Sequence, residues 1–282
     1  MLKKVKKVTQ LALVSATVFA ASIVGGNVET VQAAKTVHKA NSYEYIETND
    51  FRVIKTHASN IKALKIDTPL INTRYFGING GLFNFPEEEN GYKSSASNIF
   101  WEKSQVGKPY TLNERNTGNN YRGTLVTFKD PIEGTKAVIK SYRNTSEVKA
   151  DLGANLDYRN MLGGGNLYLK NPQSVFDAGF NAEGWDSRYH HPRYTGATRT
   201  GIGLKYENGK SYLYLMVSKY DTSLYNLRNT MINLGCNEGI WLDGGISSQM
   251  RVNNGSGIFE FAQKYEGQYR SIHHAVTLIN TH

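Results

Sequence analysis

The residues best placed to do chemistry are Asp243 and the two glycines after it, within Trp241-Leu242-Asp243-Gly244-Gly245-Ile246-Ser247-Ser248. The apolar run Gly239-Ile240-Trp241-Leu242 reads as a short buried strand. A carboxylate at the end of such a strand is held in place, and glycines leave the backbone bare for a ligand to approach. Ser247 and Ser248 add hydroxyls and amide donors where the chain turns away. The same residues also fit a strand-ending turn in which Asp243 bonds its own backbone. A second segment of this kind, Asn79-Gly80-Gly81-Leu82-Phe83, follows an aromatic strand and again sets a polar side chain beside bare backbone.

Other chemistries find less support. Gly163, Gly164 and Gly165 could cradle a phosphate, but no Gly-x-x-x-x-Gly-Lys-Ser/Thr pattern is present. A strand over 166–169, rather than a helix, is expected to follow them, which argues against a nucleotide loop. Cys236 is the only cysteine, so no internal disulfide forms; between a helix end and a strand it reads as a small buried residue, not a nucleophile. His273 and His274 are neighbours in a strand and are expected on opposite faces, so at most one reaches a site. No His-Glu-x-x-His and no Cys/His cluster points to zinc. The sequence asks for no cofactor; a hard divalent cation on Asp243 and carbonyl oxygens stays open.

These residues need elements to hold them. Two alternating runs, 200–206 and 211–217, flank Glu207-Asn208-Gly209-Lys210 and predict a hairpin. Asp221-Thr222-Ser223 opens a helix whose Leu224, Leu227, Met231 and Leu234 share a face, and Gly235 ends it. Strands are expected at 123–128, 137–139 and 272–279, and a short helix from Ser146 with Ser146 or Thr145 as its cap. Residues 86–98 read as a loop with Glu87, Glu88 and Glu89 solvated, and 35–50 as a loose lead-in. Strands outnumber helices, and the clearest helix links two strands. The expected fold is α+β (mixed α/β), a single domain with a central mixed β-sheet and flanking helices.

The first 33 residues are set aside as a signal peptide. Lys3, Lys4, Lys6 and Lys7 precede an apolar stretch from Leu11 to Val24, and small residues end in Val31-Gln32-Ala33-Ala34. The stretch is short for a membrane span, which needs about 20 apolar residues. The expected division is 1–33 signal peptide, 34–69 lead-in and first strands, and 70–282 main domain. The formal charge is +9, and removing the signal's four lysines and one glutamate leaves +6. No Lys/Arg run with interleaved aromatics marks a nucleic-acid groove. A mild positive excess with 18 tyrosines and 3 tryptophans suits an anionic glycan and sugar faces.

Three motifs in order, Asn79-Gly80-Gly81-Leu82-Phe83, Arg199-Thr200-Gly201-Ile202-Gly203 and Leu242-Asp243-Gly244-Gly245-Ile246-Ser247-Ser248, resemble the phosphodiester glycosidase family. Gly123-Thr124-Leu125-Val126-Thr127 and the triple glycine look like family elements too. The resemblance runs from about residue 70 to 279. Leu82 stands where the family usually has an aromatic, Ile246 replaces a third glycine, and either Arg193 or Arg199 fits the Arg-Thr element, with Arg199 matching in context.

The resemblance implies cleavage between a sugar's anomeric carbon and a phosphate carried by another group. Arg199 would take the phosphate with its planar fork, and Asp243 would assist at the anomeric centre. Asn79 would orient sugar hydroxyls or phosphate. The amides of Gly80, Gly81, Gly244 and Gly245 would bind anionic oxygens, with Gly164 at the rim and Ser247 and Ser248 adding hydroxyl contacts. Arg270 is a second phosphate candidate, and His274 the histidine that could reach the site. No second carboxylate is identified: Glu87, Glu88, Glu89, Glu183 and Asp186 all lie in expected loops and read as solvated.

The expected function is an exported hydrolase of sugar-1-phosphate diesters in an envelope or extracellular glycan (teichoic-type, capsular or exopolysaccharide), secreted or wall-associated, with no nucleic-acid partner and no membrane span after signal cleavage. The alternatives are a non-catalytic glycan-binding or wall-assembly protein on the same fold, and a phosphodiesterase that leaves phosphate on the sugar.

Overall fold

Alternation along strand Lys210–Ser218 sets the frame. Leu213, Leu215 and Val217 enter one core, while Tyr214 and Met216 enter another, as the two-residue period of a strand requires. This strand is therefore buried on both faces. The computed structural model describes residues 34–84, 95–105, 109–113, 120–185, 188 and 190–282. The expected Glu87–Glu89 loop and Asp186 lie outside them.

Strand Lys210–Ser218 belongs to a seven-stranded sheet ordered Lys35–Lys39, Tyr43–Glu47, Phe51–His57, Lys210–Ser218, Thr200–Glu207, Glu238–Trp241 and Gly165–Asn166. A five-stranded sheet runs Ile258–Ala262, Gln249–Asn253, Gly77–Asn79, Ile272–Leu278, Ile61–Thr68, and a four-stranded one runs Gly134–Tyr142, Arg122–Asp130, Asp157–Gly163, Phe100–Glu102. The three sheets share one core, which includes Ile54, Ile78, Leu125, Leu162, Ile202, Ile240 and Val276. Each fully buried aliphatic side chain there contributes roughly 2 kcal/mol.

The other face of the seven-stranded sheet is covered by helices Gln173–Ala182 and Leu224–Asn233, through Phe176, Phe180, Leu224, Leu227 and Met231. The spacing of Leu224, Leu227 and Met231 and the Ser223 cap, whose side chain accepts from Asn226 N, account for the second helix. It lies close against its strand because Gly201 and Gly203 are bare. A Cβ at Gly201 would fall 2.9 Å from Met231 Cε, and one at Gly203 would fall 2.6 Å from Cys236 Sγ. Cys236 is buried as expected, and burial pushes its thiol up to about 12.

Several expectations need correction. The expected α+β fold, a central mixed sheet balanced by flanking helices, is overturned. The fold is mostly β, with three α-helices among the described residues, and every strand pair described is antiparallel. Some strands left out of the sequence reading are sheet edges: Lys35–Lys39, Ile61–Thr68 and Ile258–Ala262 carry polar residues that dilute the apolar signal, while the interior strands Phe51–His57, Asp157–Gly163 and Gln249–Asn253 were left out as well. The lead-in 35–50 holds two strands of the seven-stranded sheet. After the triple glycine the strand is only Gly165–Asn166, because Tyr168 takes φ +48° and ends it; helix Gln173–Ala182 then follows. The cap of helix Thr145–Leu152 is Asn144, whose side chain accepts from Glu147 N.

Candidate functional site

Gly201 pairs with Trp241 across the seven-stranded sheet. Bonds from Leu242 N to Thr200 O (2.8 Å) and from Gly245 N to Thr198 O (2.8 Å) carry this pairing beyond both strand ends. Arg199 therefore flanks the Asp243 turn: a Cβ on Gly244 would lie 4.0 Å from Arg199 Cδ. Gly245 takes φ +59°, the left-handed conformation that this turn requires.

Asn79 ends strand Gly77–Asn79 in the other sheet, and its buried side chain joins the two sheets. Its Nδ2 donates to Asp243 O at 2.8 Å and to Gly80 O at 3.2 Å. Its Oδ1 accepts from Gln249 N at 3.0 Å and from the Thr200 hydroxyl at 2.9 Å. The Thr200 hydroxyl is also 3.0 Å from Ser248 Oγ. Both donors and both lone pairs of the amide are in use, so Asn79 is the clamp that holds the two glycine turns together.

His274 secures the Asn79 turn. Gly80 N donates to His274 O (2.9 Å) and Gly81 N to His274 Nε2 (2.9 Å). The ring is therefore neutral with its proton on Nδ1, in keeping with burial, which pushes its pKa well below the ordinary value. His273 is also buried, and the two rings stand only 5.3 Å apart. The expectation of opposite faces fails because a register shift between Ile272 and His274 turns the strand. The triple glycine packs between the motifs: a Cβ on Gly81 would meet Gly163 O at 2.5 Å, and one on Gly164 would meet Trp241 O at 2.3 Å.

Asp243 itself is half-buried, and its Oδ1 accepts from Gly244 N at 3.1 Å. Arg270 lies within its field: burial lowers the guanidinium pKa, and the charge of Asp243 partly restores it. Arg199 is buried, its Nε donating to Thr222 O (2.9 Å) and its Nη2 to Tyr194 O (2.6 Å). Burial brings its pKa down to about 10. Ser247 Oγ is buried without a hydrogen-bond partner among the described residues. The amides expected to receive anionic oxygens already have acceptors: Gly80 and Gly81 on His274, Gly244 on Asp243, Gly245 on Thr198. No group of three or more metal-ligating side chains converges among the described residues.

The sequence matches the phosphodiester glycosidase family over residues 72–279, about three-quarters of the chain. The chain belongs to that family. Its fold is similar to the zebrafish N-acetylglucosamine-1-phosphodiester α-N-acetylglucosaminidase catalytic domain auto-inhibited by its pro-peptide. The TM-score is 0.54 and the identity 16%, with 90% of this chain and 85% of that chain covered. It is also similar to a putative exported protein of Burkholderia pseudomallei, with TM-score 0.54, 11% identity and coverage of 84% and 74%. Among curated proteins none matches. No helix among the described residues is long and apolar enough to cross a membrane.

Two buried polar residues escaped the sequence reading. Gln249 is fully buried: Oε1 accepts from Leu70 N (2.7 Å) and Nε2 donates to Arg270 O (2.7 Å), so it ties the Asp243 turn to Arg270. Its only signal was a polar residue opening the alternating segment Met250-Arg251-Val252. Glu183, expected in a solvated loop, is instead buried at the end of helix Gln173–Ala182. Its signal, a carboxylate two residues before Trp185, depends on a helix the sequence did not reveal.

Proposed function

We propose that this protein is an exported hydrolase that releases a sugar from a phosphodiester at its anomeric carbon, in an envelope or extracellular glycan. The observation that carries the reading is the clamp from Asn79 to Asp243. It holds the backbone of a half-exposed acid that lies in the field of Arg270, in a turn whose next residue, Gly244, packs near the Arg199 side chain, at the junction of two sheets. In this reading water adds to the anomeric carbon, the bond from that carbon to the phosphate oxygen breaks, and free sugar and a phosphate monoester leave. Asp243 takes the proton of the attacking water. The departing phosphate has a second pKa near ~6, so cations rather than a proton donor help it leave. Arg270 and Arg199 supply that positive field, and the buried Ser247 hydroxyl has no hydrogen-bond partner among the described residues. A single working carboxylate then suffices.

Export is supported by the basic and apolar leader and by the likeness to the putative exported protein of Burkholderia. The +6 charge left after the leader suits an anionic glycan. The engagement of the glycine amides within the protein favours a second reading, a glycan-binding protein without turnover. Incubating residues 34–282 with α- and β-linked sugar-1-phosphate diesters separates the two. Release of reducing sugar with phosphate on the other fragment is expected. Retention of glycan with no product from any diester would establish the binding reading, and phosphate left on the sugar would indicate the other bond.

A further inference from the structure

Three locally unfavourable features converge on Glu183. Its carboxyl is buried, and burial pushes its pKa up to about 8 against the opposing pull of its hydrogen bonds and of Arg122. Tyr168, a bulky residue held at φ +48°, brings its hydroxyl to 3.2 Å from Glu183 Oε1. Gly179 weakens the middle of helix Gln173–Ala182, and its bareness admits the Tyr168 ring: a Cβ there would fall 2.4 Å from Tyr168 Cε2. Burying the carboxyl carries a desolvation cost, and Asn166 N, the Tyr168 hydroxyl and Trp185 Nε1 are the groups it holds in return.

Its contacts lead to the Asp243 turn. Trp185 Nε1 donates to Glu183 Oε2 at 2.7 Å, and Asn166 N donates to the same oxygen at 3.1 Å. Arg122 donates from Nε to Glu183 O at 3.1 Å and lays its guanidinium 3.8 Å over the Trp185 ring. The indole is thus fixed on a face and on its N–H edge. Its next neighbour is Trp241, with ring centroids 4.5 Å apart. Asn166 is one residue beyond Gly165, which pairs with Trp241, and Asp243 is two residues beyond Trp241.

We infer that Glu183 is a positioning residue of the Asp243 site: it anchors Trp185 and the Gly165–Asn166 strand, and through both it fixes Trp241 and the strand end that carries Asp243. This rests on the hydrolase reading above, deepens it, and assigns Glu183 no contact with substrate.

The test compares Glu183→Leu, Glu183→Gln and Trp185→Phe with wild type. Turnover of a sugar-1-phosphate diester is measured at pH 6.5, well below each melting temperature. Glu183→Leu is expected to lose tenfold or more in kcat with KM within twofold and to shift the tryptophan emission. Glu183→Gln, a neutral isostere, should recover kcat to within about threefold. Trp185→Phe keeps the ring but loses the anchor, so its kcat should fall several-fold, and this variant decides the matter should the leucine variant not fold. Wild-type kcat in Glu183→Leu or in Trp185→Phe would overturn the inference, as would a Glu183→Gln variant no better than the leucine one. If wild type itself turns over no diester, the hydrolase reading has failed. The emission then decides: a shift in Glu183→Leu reversed in Glu183→Gln upholds the anchoring, and an unchanged spectrum overturns it.

Discussion

The side-chain amide of Asn79 donates to the main-chain carbonyl of Asp243 at 2.8 Å, across 164 residues of sequence and between two different sheets. The two Gly-Gly turns are therefore one structure, and Asp243 is held from a neighbouring sheet as well as by its own strand.

Asn79→Ala should be costly. It strips partners from Asp243 O, Gln249 N and the Thr200 hydroxyl at a buried position. Leaving such groups unpaired costs about 1–3 kcal/mol each at most, with relaxation recovering part. A total of about 2–4 kcal/mol corresponds to a melting temperature lowered by roughly 5–15 °C in a domain of this size. Thermal melts followed by circular dichroism measure this; a change below about 1 °C would mean that the clamp is dispensable.

Ser247→Ala should behave in the opposite way. The Ser247 hydroxyl is buried without a partner among the described residues, so its removal should leave the melting temperature unchanged or slightly raised. If that hydroxyl meets substrate, KM for a sugar-1-phosphate diester should rise several-fold. A melting temperature lowered by several degrees with KM unchanged would mark Ser247 as a structural residue.

The hairpin Thr200–Glu207/Lys210–Ser218 and the helix Leu224–Asn233 were legible because alternation, an Asn-Gly turn, a Ser223 cap and a regular apolar face all agree locally. The buried strand before Asp243 was legible for the same reason. Helix Gln173–Ala182 was not: its buried face is little more than Phe176 and Phe180, and its start carries no side-chain cap. Glu183 was missed with it, because a carboxylate's burial is decided by what folds over it. Strand Lys35–Lys39 was lost because an edge strand exposes the polar residues by which a sequence reading recognises loops. The nearness of Asn79, Arg199 and Asp243 followed from family likeness, since nothing local in the chain records a contact between sheets. The Asn79 side chain, read as a ligand contact, is occupied within the protein.

The buried carboxyl of Glu183 gives stability a distinct pH dependence. Burial raises its pKa in the folded protein to about 8, against about 4.3 in an unfolded chain. The folded state therefore keeps a proton that the unfolded state releases. This contribution is fully present below about pH 4.3 and is lost as pH rises through about 8. At ~1.4 kcal/mol for each pH unit between the two values, it amounts to a few kcal/mol. Urea midpoints should fall from pH 5 to pH 8 in wild type and fall less in Glu183→Gln. Equal slopes in the two proteins would place the titration elsewhere.

The most direct test of the account is the turnover of Asp243→Asn on a defined sugar-1-phosphate diester, with its melting temperature measured alongside. The substitution keeps the shape of the side chain and leaves the main-chain carbonyl to Asn79, while removing the charge and the proton acceptor. The account expects a loss of about 10² or more in kcat with the melting temperature close to wild type. Full activity, or a loss that only tracks unfolding, would contradict it and leave Asp243 as the residue of a strand-ending turn.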